Sequence, residues 1–435
     1  MTVDQQTPAT VVGEQALIPV NDFLRNRAAI PPSRMFLIKQ GLTTFREKQP
    51  ERLTFDASQG DGGASLPGVP DAILERAFEL QLKRGTSYDM PFGTDEFRKA
   101  VVEDYWEMDA SSGVGPKNVV ATVGGRDALM KAYDAILAMG HGRIGDMILV
   151  SRVPWISYNW GPYSVGANVL LAPGDPSDGW AYTPEAFEAS VEFAEKSGRR
   201  ISTVVITTPD NPTGNTISEE RMVTLAKKAF SLKIPYVFFD WMYHFITDEY
   251  PMDLNRFLSH FEEEERARLL FLDGLTKSLG ASNIRNAHLI ASEGIIQYIV
   301  SRASHTVIPA YFSTAVAEAA YTMGYAEASR TIIEPTNASR EVLRTFLEDN
   351  GFKYILGKGY YAFIEVAEWL HEAGWSDSEP LGAYLAEEHG VAIVPGAFFS
   401  KFGGDWVRFS YATPPARTQG AAERLLEGLN ALKSS

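Results

Sequence analysis

Short apolar runs alternate with longer stretches of helical periodicity through the middle of this chain. Between about residues 70 and 310 the apolar runs include DMILVS, NVLLAP, STVVITT, YVFFD, LLFLDG and AHLIAS, and helical segments such as DALMKAYDAILAM separate them. A short, continuous run of β-branched and apolar residues is typical of a strand that is buried on both faces. The pattern therefore predicts an α/β fold in which a mostly parallel sheet carries helices on both faces.

The pattern changes on either side of this region. Beyond about Thr322, longer helical stretches alternate with YYAFIEV, VAIVPG and WVRFSYA, which predict a smaller α+β domain. The first twenty residues are small and polar, so we expect a loose arm there. The predicted division is an N-terminal arm over 1–30, a segment over 31–65 that joins the small domain and supplies an active-site loop, a large domain over 66–320 and a small C-terminal domain over 321–435.

Composition argues against several classes of function. The 435 residues carry a formal net charge of -15, whereas a surface that follows nucleic-acid phosphates needs an excess of Lys and Arg, so we expect no nucleic-acid partner. The chain has no Cys, and its seven His residues lack metal-ligand spacing, so no metal is expected. Because no secretory signal and no apolar run of roughly 20 residues is found, we expect a cytoplasmic protein without membrane contact.

One glycine motif is misleading. The run GHGRIG, Gly140 to Gly145, has the letter spacing of a dinucleotide-binding loop. It follows a predicted helix and precedes a strand, whereas a phosphate-binding turn of that type must follow a strand and open a helix. We therefore expect no nicotinamide or flavin site at this position.

Three predicted strands in succession are followed by polar residues that suit one chemistry. Asn211 follows the first in ITTPDNPTG, Asp240 and Tyr243 follow the second in YVFFDWMYHF, and Lys277 follows the third in LLFLDGLTK. Ligands bind where parallel strands end, so we expect these side chains to meet. A desolvated lysine amine suits reaction with a carbonyl group, and a carboxylate suits a protonated ring nitrogen. Arg285, eight residues after the lysine, suits a phosphate. Taken singly, Asp240 also fits a helix N-cap and Lys277 an ordinary solvated loop.

In this order the motifs resemble those of the class I/II aminotransferase family, the fold-type I enzymes that depend on pyridoxal 5′-phosphate. The resemblance spans roughly residues 30 to 420. It implies that Lys277, in TKSLGASNIR, forms the internal aldimine with this cofactor, and that Arg285 binds its phosphate. It also implies that Asn211 and Tyr243 donate hydrogen bonds to the ring hydroxyl and that Asp240 partners the pyridinium nitrogen.

Two further motifs extend the implied cofactor site. VGGRDAL is similar to the family's phosphate loop at a helix N-terminus, which implicates Gly124, Gly125 and Arg126. VPWISY resembles the segment whose aromatic ring stacks on the pyridine, which implicates Trp155, although a position in the core is the alternative. The resemblance thus implies a cofactor held from both ends and from one face.

Three more matches concern substrate and assembly. YDMPFGTDEFR resembles the segment whose tyrosine reaches the phosphate of the neighbouring subunit, so Tyr88 implies a homodimer with active sites at the subunit interface. WVRFSYA resembles the segment whose arginine holds the substrate α-carboxylate, which implicates Arg408. FDASQGDGG resembles the loop that closes over the substrate, with Gly60 permitting a close backbone approach.

Two positions depart from the family pattern. Gly274 stands where the family often has a phosphate-binding serine, and Asn286 stands where a small residue is usual. The hydroxyl of Thr276 could replace the missing serine. Neither departure removes the lysine on which the chemistry depends.

The implied activity is that of a pyridoxal-phosphate-dependent aminotransferase, which moves the amino group of an L-amino acid to a 2-oxo acid through the Lys277 aldimine. The same fold also supports elimination, cyclisation or oxidative deamination, and a cofactor-binding regulator is a non-enzymatic alternative. The substrate stays open, because the candidate aromatic residues fit a pocket or the core equally well: Trp106, Tyr158, Trp160, Phe398 and Phe399.

Overall fold

The computed structural model describes residues 11–12, 30, 34–246 and 252–433. The arm predicted over 1–30 therefore lies almost wholly outside the described residues. The helices are α1 Met35–Lys48, α2 Asp71–Arg84, α3 Asp95–Ala100, α4 Gly125–Met139, α5 Ile156–Trp160, α6 Pro184–Lys196, α7 Glu219–Ser231, α8 Leu254–Ser259, α9 Glu263–Arg266, α10 Glu293–Ser301, α11 Tyr311–Thr322, α12 Tyr325–Asp349, α13 Ala367–Glu372, α14 Glu379–His389 and α15 Pro415–Leu432. None of these is long and apolar enough to cross a lipid bilayer.

The described strands form a large sheet, a smaller sheet and one isolated pair. They are β1 Val11–Val12, β2 Phe55–Asp56, β3 Val119–Thr122, β4 Met147–Val150, β5 Asn168–Leu171, β6 Ile201–Thr207, β7 Tyr236–Asp240, β8 Leu269–Asp273, β9 Ala287–Ile290, β10 Tyr354–Leu356, β11 Tyr361–Glu365, β12 Val391–Ala392, β13 Val394–Pro395 and β14 Trp406–Ser410.

The large sheet has eight described strands in the order β1-β5-β4-β6-β7-β8-β9-β3. The five central strands from β5 to β8 are parallel, while β9 runs antiparallel to both of its neighbours. Helices pack on the sheet, and strands β3, β4, β5, β8 and β9 are buried along their whole length. The predicted α/β architecture with a mostly parallel sheet is confirmed.

Local sequence sets where several helices begin. The hydroxyl of Thr183 accepts a hydrogen bond from the Ala186 amide, and Pro184 occupies the first helical position of α6. Ser218 caps α7 in the same way through the Arg221 amide. These caps satisfy amide groups that have no partner within the helix, so each crossover helix starts at a defined residue.

The smaller sheet is antiparallel, with the order β10-β11-β14-β13. Beside it, β2 pairs in parallel with β12, and so an N-terminal strand is joined to the C-terminal part of the chain. The backbone of Ala57 continues this link, since its amide donates to the Ala392 carbonyl at 2.9 Å and its carbonyl accepts from Ser410 at 2.8 Å. The loop that follows β2 is thereby placed next to β14. The limits of the predicted domains stay predictions.

The loop after β6 packs tightly against β11. A Cβ atom added to Gly214 would lie 2.1 Å from the carbonyl oxygen of Tyr361, and the residue has a φ of +74°. Gly198 has a similar φ of +67°, but an added Cβ atom there would meet nothing within 4 Å. The two glycines therefore share a backbone conformation and differ in the space around them.

We expect Gly214→Ala to destabilise the protein more than Gly198→Ala. Alanine in a left-handed conformation costs about 1–2 kcal/mol at either position, and overpacking adds roughly 1–3 kcal/mol only at Gly214. The midpoint of thermal unfolding, measured for both variants, checks this. Equal losses in the two variants would contradict the close contact between the loop and β11.

Candidate active site

The three predicted functional strands are neighbours, and their ends meet at one edge of the sheet. In the strand register Thr207 of β6 lies opposite Asp240 of β7, and Asp240 lies opposite Leu272 of β8. Asn211 and Lys277 follow in the loops after β6 and β8. This edge, where parallel strands end, is the usual place for a ligand in such a sheet.

Lys277 is held by hydrogen bonds to two distant parts of the chain. Its Nζ donates a hydrogen bond to the carbonyl oxygen of Gly60 at 2.5 Å, and the hydroxyl of Tyr360 donates to the Lys277 carbonyl oxygen. Burial lowers the pKa of the amine below that of an exposed lysine, and the charges of Arg408 and Arg126 act in the same direction. A larger fraction of the amine is therefore neutral, and a neutral amine can attack a carbonyl group.

Asp240 is a buried carboxylate at the end of β7. Oδ2 accepts a hydrogen bond from the Tyr158 hydroxyl at 2.5 Å, and Oδ1 accepts one from the Met242 amide at 3.1 Å. Burial raises its pKa from 3.8 to about 6, against these hydrogen bonds, and the charge of Asp273 raises it further. The next helical turn starts only at His244, so Asp240 does not cap an α-helix there. The carboxylate is suited to accept a positively charged partner.

Arg408 is a buried cation on β14. Its Nη1 donates to Asn211 Oδ1 at 2.8 Å and its Nη2 donates to the Ser58 carbonyl oxygen at 2.7 Å, while Nε is buried without a hydrogen-bond partner among the described residues. The guanidinium lies 4.3 Å from the ring centre of Tyr361 and 5.1 Å from that of Phe399. Buried charges normally pair with opposite charges, so this arginine is a candidate for binding an anion.

Two further guanidinium groups lie close together at the start of α4. Arg285 donates to the Ser282 carbonyl oxygen at 3.0 Å, and its Nη2 would lie 2.5 Å from a Cβ atom on Gly124, whose φ of +78° also favours glycine. Burial lowers the pKa of Arg126, and the charge of Arg285 lowers it further. Within the described part of the chain neither arginine forms a salt bridge. Together with the amide groups of Gly125 and the following residues, the pair is a candidate for binding an anion.

Aromatic rings border the same edge. Trp155 is half-buried at the start of α5, 5.5 Å from the Arg126 guanidinium and edge-on to the Tyr158 ring at 5.3 Å. The hydroxyl oxygens of Tyr243 and Tyr361 are 3.0 Å apart, and Lys277 Nζ lies 5.6 Å from the centre of the Tyr243 ring. The site is thus polar at its ends and aromatic along its sides.

The structure explains one of the two departures from the family pattern. A Cβ atom on Gly274 would lie 2.6 Å from the Ala287 Cα atom at the start of β9, so the close strand excludes a serine there. Thr276 Oγ1 is buried and has no hydrogen-bond partner among the described residues, and it is available to a ligand. Asn286 is fully buried with neither side-chain polar atom hydrogen-bonded within that part of the chain, for which we have no physical explanation.

Some of the residues singled out in the sequence lie apart from these groups. Tyr88 is 97% exposed, and no described contact connects it with Lys277 of its own chain, so its reach to a neighbouring subunit stays a prediction. Trp106, one of the aromatic candidates, is a core residue, because its indole stacks on His244 at 5.0 Å and donates to His288 at 2.9 Å. Phe398 lies under the guanidinium of Arg34 at 4.3 Å.

Sequence reasoning missed three contributors to the site. Tyr361, Ser58 and the hydrogen-bonding role of Tyr158 become visible only in three dimensions. The alternation of strand residues places Tyr361 on the same face of β11 as Phe363. Phe363 is paired with Arg408 across the sheet. The sequence would therefore indicate Tyr361 only to a reader who knew that β11 and β14 are neighbours.

Comparisons with known proteins find similar sequences and similar folds. A family model described as aminotransferase class I and II matches residues 51–425. The aspartate aminotransferase of Thermotoga maritima is 27% identical over 83% of this chain and 88% of its own length, and the aspartate/prephenate aminotransferase of Thermus thermophilus is 25% identical over 92% and 97%. A solved structure of a Thermus thermophilus aspartate aminotransferase double mutant superposes with a TM-score of 0.78 at 23% identity, covering 93% of this chain and 98% of that one. That likeness shows the fold.

The raised pKa of Asp240 predicts a pH-dependent stability for the protein without added cofactor. The folded state binds the Asp240 proton more tightly than the unfolded chain does. Protonation of Asp240 therefore stabilises the folded state below about pH 4, and this stabilisation is lost as the pH rises toward 6. The variant Asp240→Asn has no carboxyl proton to lose at this position. We therefore expect the difference in free energy of unfolding, variant minus parent, to increase by up to about 3 kcal/mol between pH 4 and 7.

Urea unfolding of both proteins across this pH range is the measurement. The exposed Asp178→Asn is the control and should follow the parent. A constant difference between Asp240→Asn and the parent would show that burial does not hold the proton on Asp240.

Proposed function

The chain belongs to the class I and II aminotransferase family, and from this we propose that it uses pyridoxal 5′-phosphate, joined to Lys277, to move an amino group from an L-amino acid to a 2-oxo acid. The observation that carries the proposal is the position of Lys277. Its amine has a lowered pKa and lies at the sheet edge between a buried carboxylate and cations that form no salt bridge with any described residue. Such surroundings favour a covalent bond to a carbonyl compound that also carries negative charge.

The described residues fit this cofactor at each of its polar groups. The pair Arg126 and Arg285, with the start of α4 and the unpartnered Thr276 hydroxyl, suits its phosphate. Asp240 suits the ring nitrogen, because a positive charge beside it would favour the ionised carboxylate. Asn211 uses Oδ1 to accept from Arg408, which leaves its Nδ2 free to donate to the ring hydroxyl.

The remaining polar contacts of the cofactor fall to residues already placed in the site. We assign Tyr243 as the second donor to the ring hydroxyl and Trp155 to the face of the ring, with Gly124 and Gly125 admitting the phosphate. Once bound, the cofactor supplies the electron sink that makes a Cα–H bond acidic. Lys277 is then the base that takes this proton and returns it.

Arg408 is the residue we assign to the substrate α-carboxylate. Its contacts with Asn211 and Ser58 fix the orientation of the guanidinium before any ligand arrives, so little side-chain entropy is lost on binding. Gly60 belongs to the same loop, and its carbonyl oxygen already holds the Lys277 amine. This loop therefore connects the carboxylate site with the reacting amine.

L-Aspartate is the first donor to test, because the similar proteins named above are aspartate or aspartate/prephenate aminotransferases. Elimination, cyclisation and oxidative deamination are not favoured by those names. They are distinguished by their products, since transamination gives one 2-oxo acid per donor without ammonia or peroxide. The cytoplasmic location stays a prediction.

A second copy of the chain is the partner we propose. Near Tyr88 in the sequence, three large apolar side chains are also exposed: Phe78, Leu82 and Met90. Phe78 and Leu82 lie one turn apart on α2, so they present one apolar face. Exposed apolar side chains favour a partner surface, and an exposed tyrosine could reach the site of the neighbouring subunit.

Lys277→Ala should abolish both the visible absorbance of lysine-bound cofactor and its loss on addition of L-aspartate, because the amine supplies the covalent bond and the proton transfer. Spectrophotometry of a single half-reaction, with assay of oxaloacetate, ammonia and peroxide, checks this. The surface variant Lys99→Ala should behave like the parent. The proposal fails if Lys277→Ala keeps the parent band and its half-reaction.

Hybrid dimers should test the assignment of Tyr88. Tyr88→Ala and Lys277→Ala should each be weakly active or inactive alone. In a refolded equal mixture, about half of the dimers should contain one chain of each kind, and each of these should have one intact site out of two. The mixture should therefore recover roughly a quarter of the parent activity. A mixture of Lys277→Ala with Lys277→Arg is the control and should recover nothing. A parent that sediments as a monomer, or dimeric mixtures without recovery, would remove Tyr88 from the neighbouring site.

A further inference from the structure

Tyr361 brings a second phenol to the centre of the site. It opens β11, is 1% exposed, and its hydroxyl oxygen lies 3.0 Å from that of Tyr243. A Cβ atom added to Gly60 would lie 1.9 Å from the Tyr361 hydroxyl oxygen and 3.5 Å from Lys277 Nζ. The phenol and the reacting amine therefore converge on the same point of the N-terminal loop.

The hydrogen-bonding capacity of the two phenols determines which of them donates. Each hydroxyl has one proton to donate and can accept at its oxygen. Among the described residues, the hydroxyl of Tyr361 has one hydrogen-bond partner, Tyr243. If Tyr243 directs its proton to the ring hydroxyl of the cofactor, as assigned above, then the proton between the two tyrosines belongs to Tyr361.

The surroundings keep the Tyr243 phenol protonated. Burial raises the pKa of Tyr243 well above its ordinary value, the neighbouring Tyr361 raises it further, and the charge of Arg408 opposes the rise. The charged or titratable groups around Tyr243 and Lys277 come from several elements: Arg408, Arg126, Asp61, Asp240, Tyr360 and Tyr361. At neutral pH the Tyr243 hydroxyl therefore keeps its proton and can donate it in a hydrogen bond.

We propose that Tyr361 is a positioning residue for Tyr243: it donates to the Tyr243 hydroxyl oxygen, turns the Tyr243 proton toward the ring hydroxyl, and strengthens Tyr243 as a donor. This rests on the proposed function, since it requires the cofactor assigned above. Hydrogen bonds in a chain polarise one another, and the effect is larger in a buried site.

The proposal has a defined electrostatic consequence. A stronger donor withdraws negative charge from the ring oxygen, and that charge is what favours the protonated form of the Lys277 nitrogen in the loaded enzyme. Tyr361 should therefore lower the pKa of this nitrogen. Tyr361→Phe should raise it by roughly 0.5 to 1 unit, the equivalent of one neutral hydrogen bond.

The pH titration of the visible absorbance of the loaded enzyme measures this pKa without turnover. We expect a higher midpoint for Tyr361→Phe and an unchanged one for Tyr182→Phe, which removes a buried hydroxyl that donates to the Val205 carbonyl oxygen. In a Tyr243→Phe background, Tyr361→Phe should have little further effect, because its action passes through Tyr243. An unshifted midpoint in Tyr361→Phe, or an equal shift in both backgrounds, would overturn the proposal.

A second measurement uses the protein without cofactor and tests the placement of the hydroxyl. Gly60→Ala should lower the thermal midpoint less in a Tyr361→Phe background than in the parent, because the nearest remaining ring atom, Cζ, lies 3.1 Å from the added Cβ. Equal losses in both backgrounds would place the hydroxyl elsewhere and refute the proposal.

The two proposals fail in different ways. A parent protein that never acquires the visible absorbance band of the bound cofactor would contradict the proposed function. A normal band whose titration midpoint does not shift in Tyr361→Phe would contradict only the role of Tyr361.

Discussion

The hydrogen bond from Lys277 Nζ to the Gly60 carbonyl oxygen joins two segments that are 217 residues apart in the sequence. It exists only because β2 pairs with β12 and the following loop is fixed against β14. Arg408 holds the same loop through Ser58, and Tyr360, just before β11, holds the Lys277 backbone. The large sheet, the small sheet and the N-terminal segment must therefore all be in place before the amine has its position.

The charged side chains of the site are suited to partners of opposite charge that the chain itself does not supply. Arg126, Arg285 and Arg408 are brought together without a carboxylate at salt-bridge distance among the described residues, while Asp240 is buried against phenol and amide donors. Leaving buried charges unpaired destabilises a folded protein. A ligand with a phosphate, a cationic ring nitrogen and a carboxylate would offset each of these charges at its own position.

The sequence predicted the parts of the fold that depend on local pattern. The buried strands β4 to β9 each appeared as a continuous apolar run, and Asn211, Asp240 and Lys277 were found because each follows such a strand. The placement of β9 beside β3 and the pairing of β2 with β12 could not be predicted in the same way, because both depend on contacts between distant segments.

The same limit applies to single residues of the site. Tyr361 and Ser58 matter through partners that lie 118 and 350 residues away, Tyr243 and Arg408, and a sequence does not show which side chains meet. For Gly274 the sequence showed the departure from the family pattern but not its cause. A Cβ atom added to Gly274 would lie 2.6 Å from the Ala287 Cα atom, and this close approach is a property of strand packing. Local pattern thus identifies the reacting residues, and tertiary packing supplies the residues that orient them.

The central claim is that the Lys277 amine carries the cofactor covalently. Borohydride reduction of the protein after incubation with pyridoxal 5′-phosphate, followed by peptide mass spectrometry, tests it most directly. The account predicts one modified lysine per chain, at position 277. Modification at another lysine, or an unmodified Lys277 in a protein that has bound the cofactor, would contradict it.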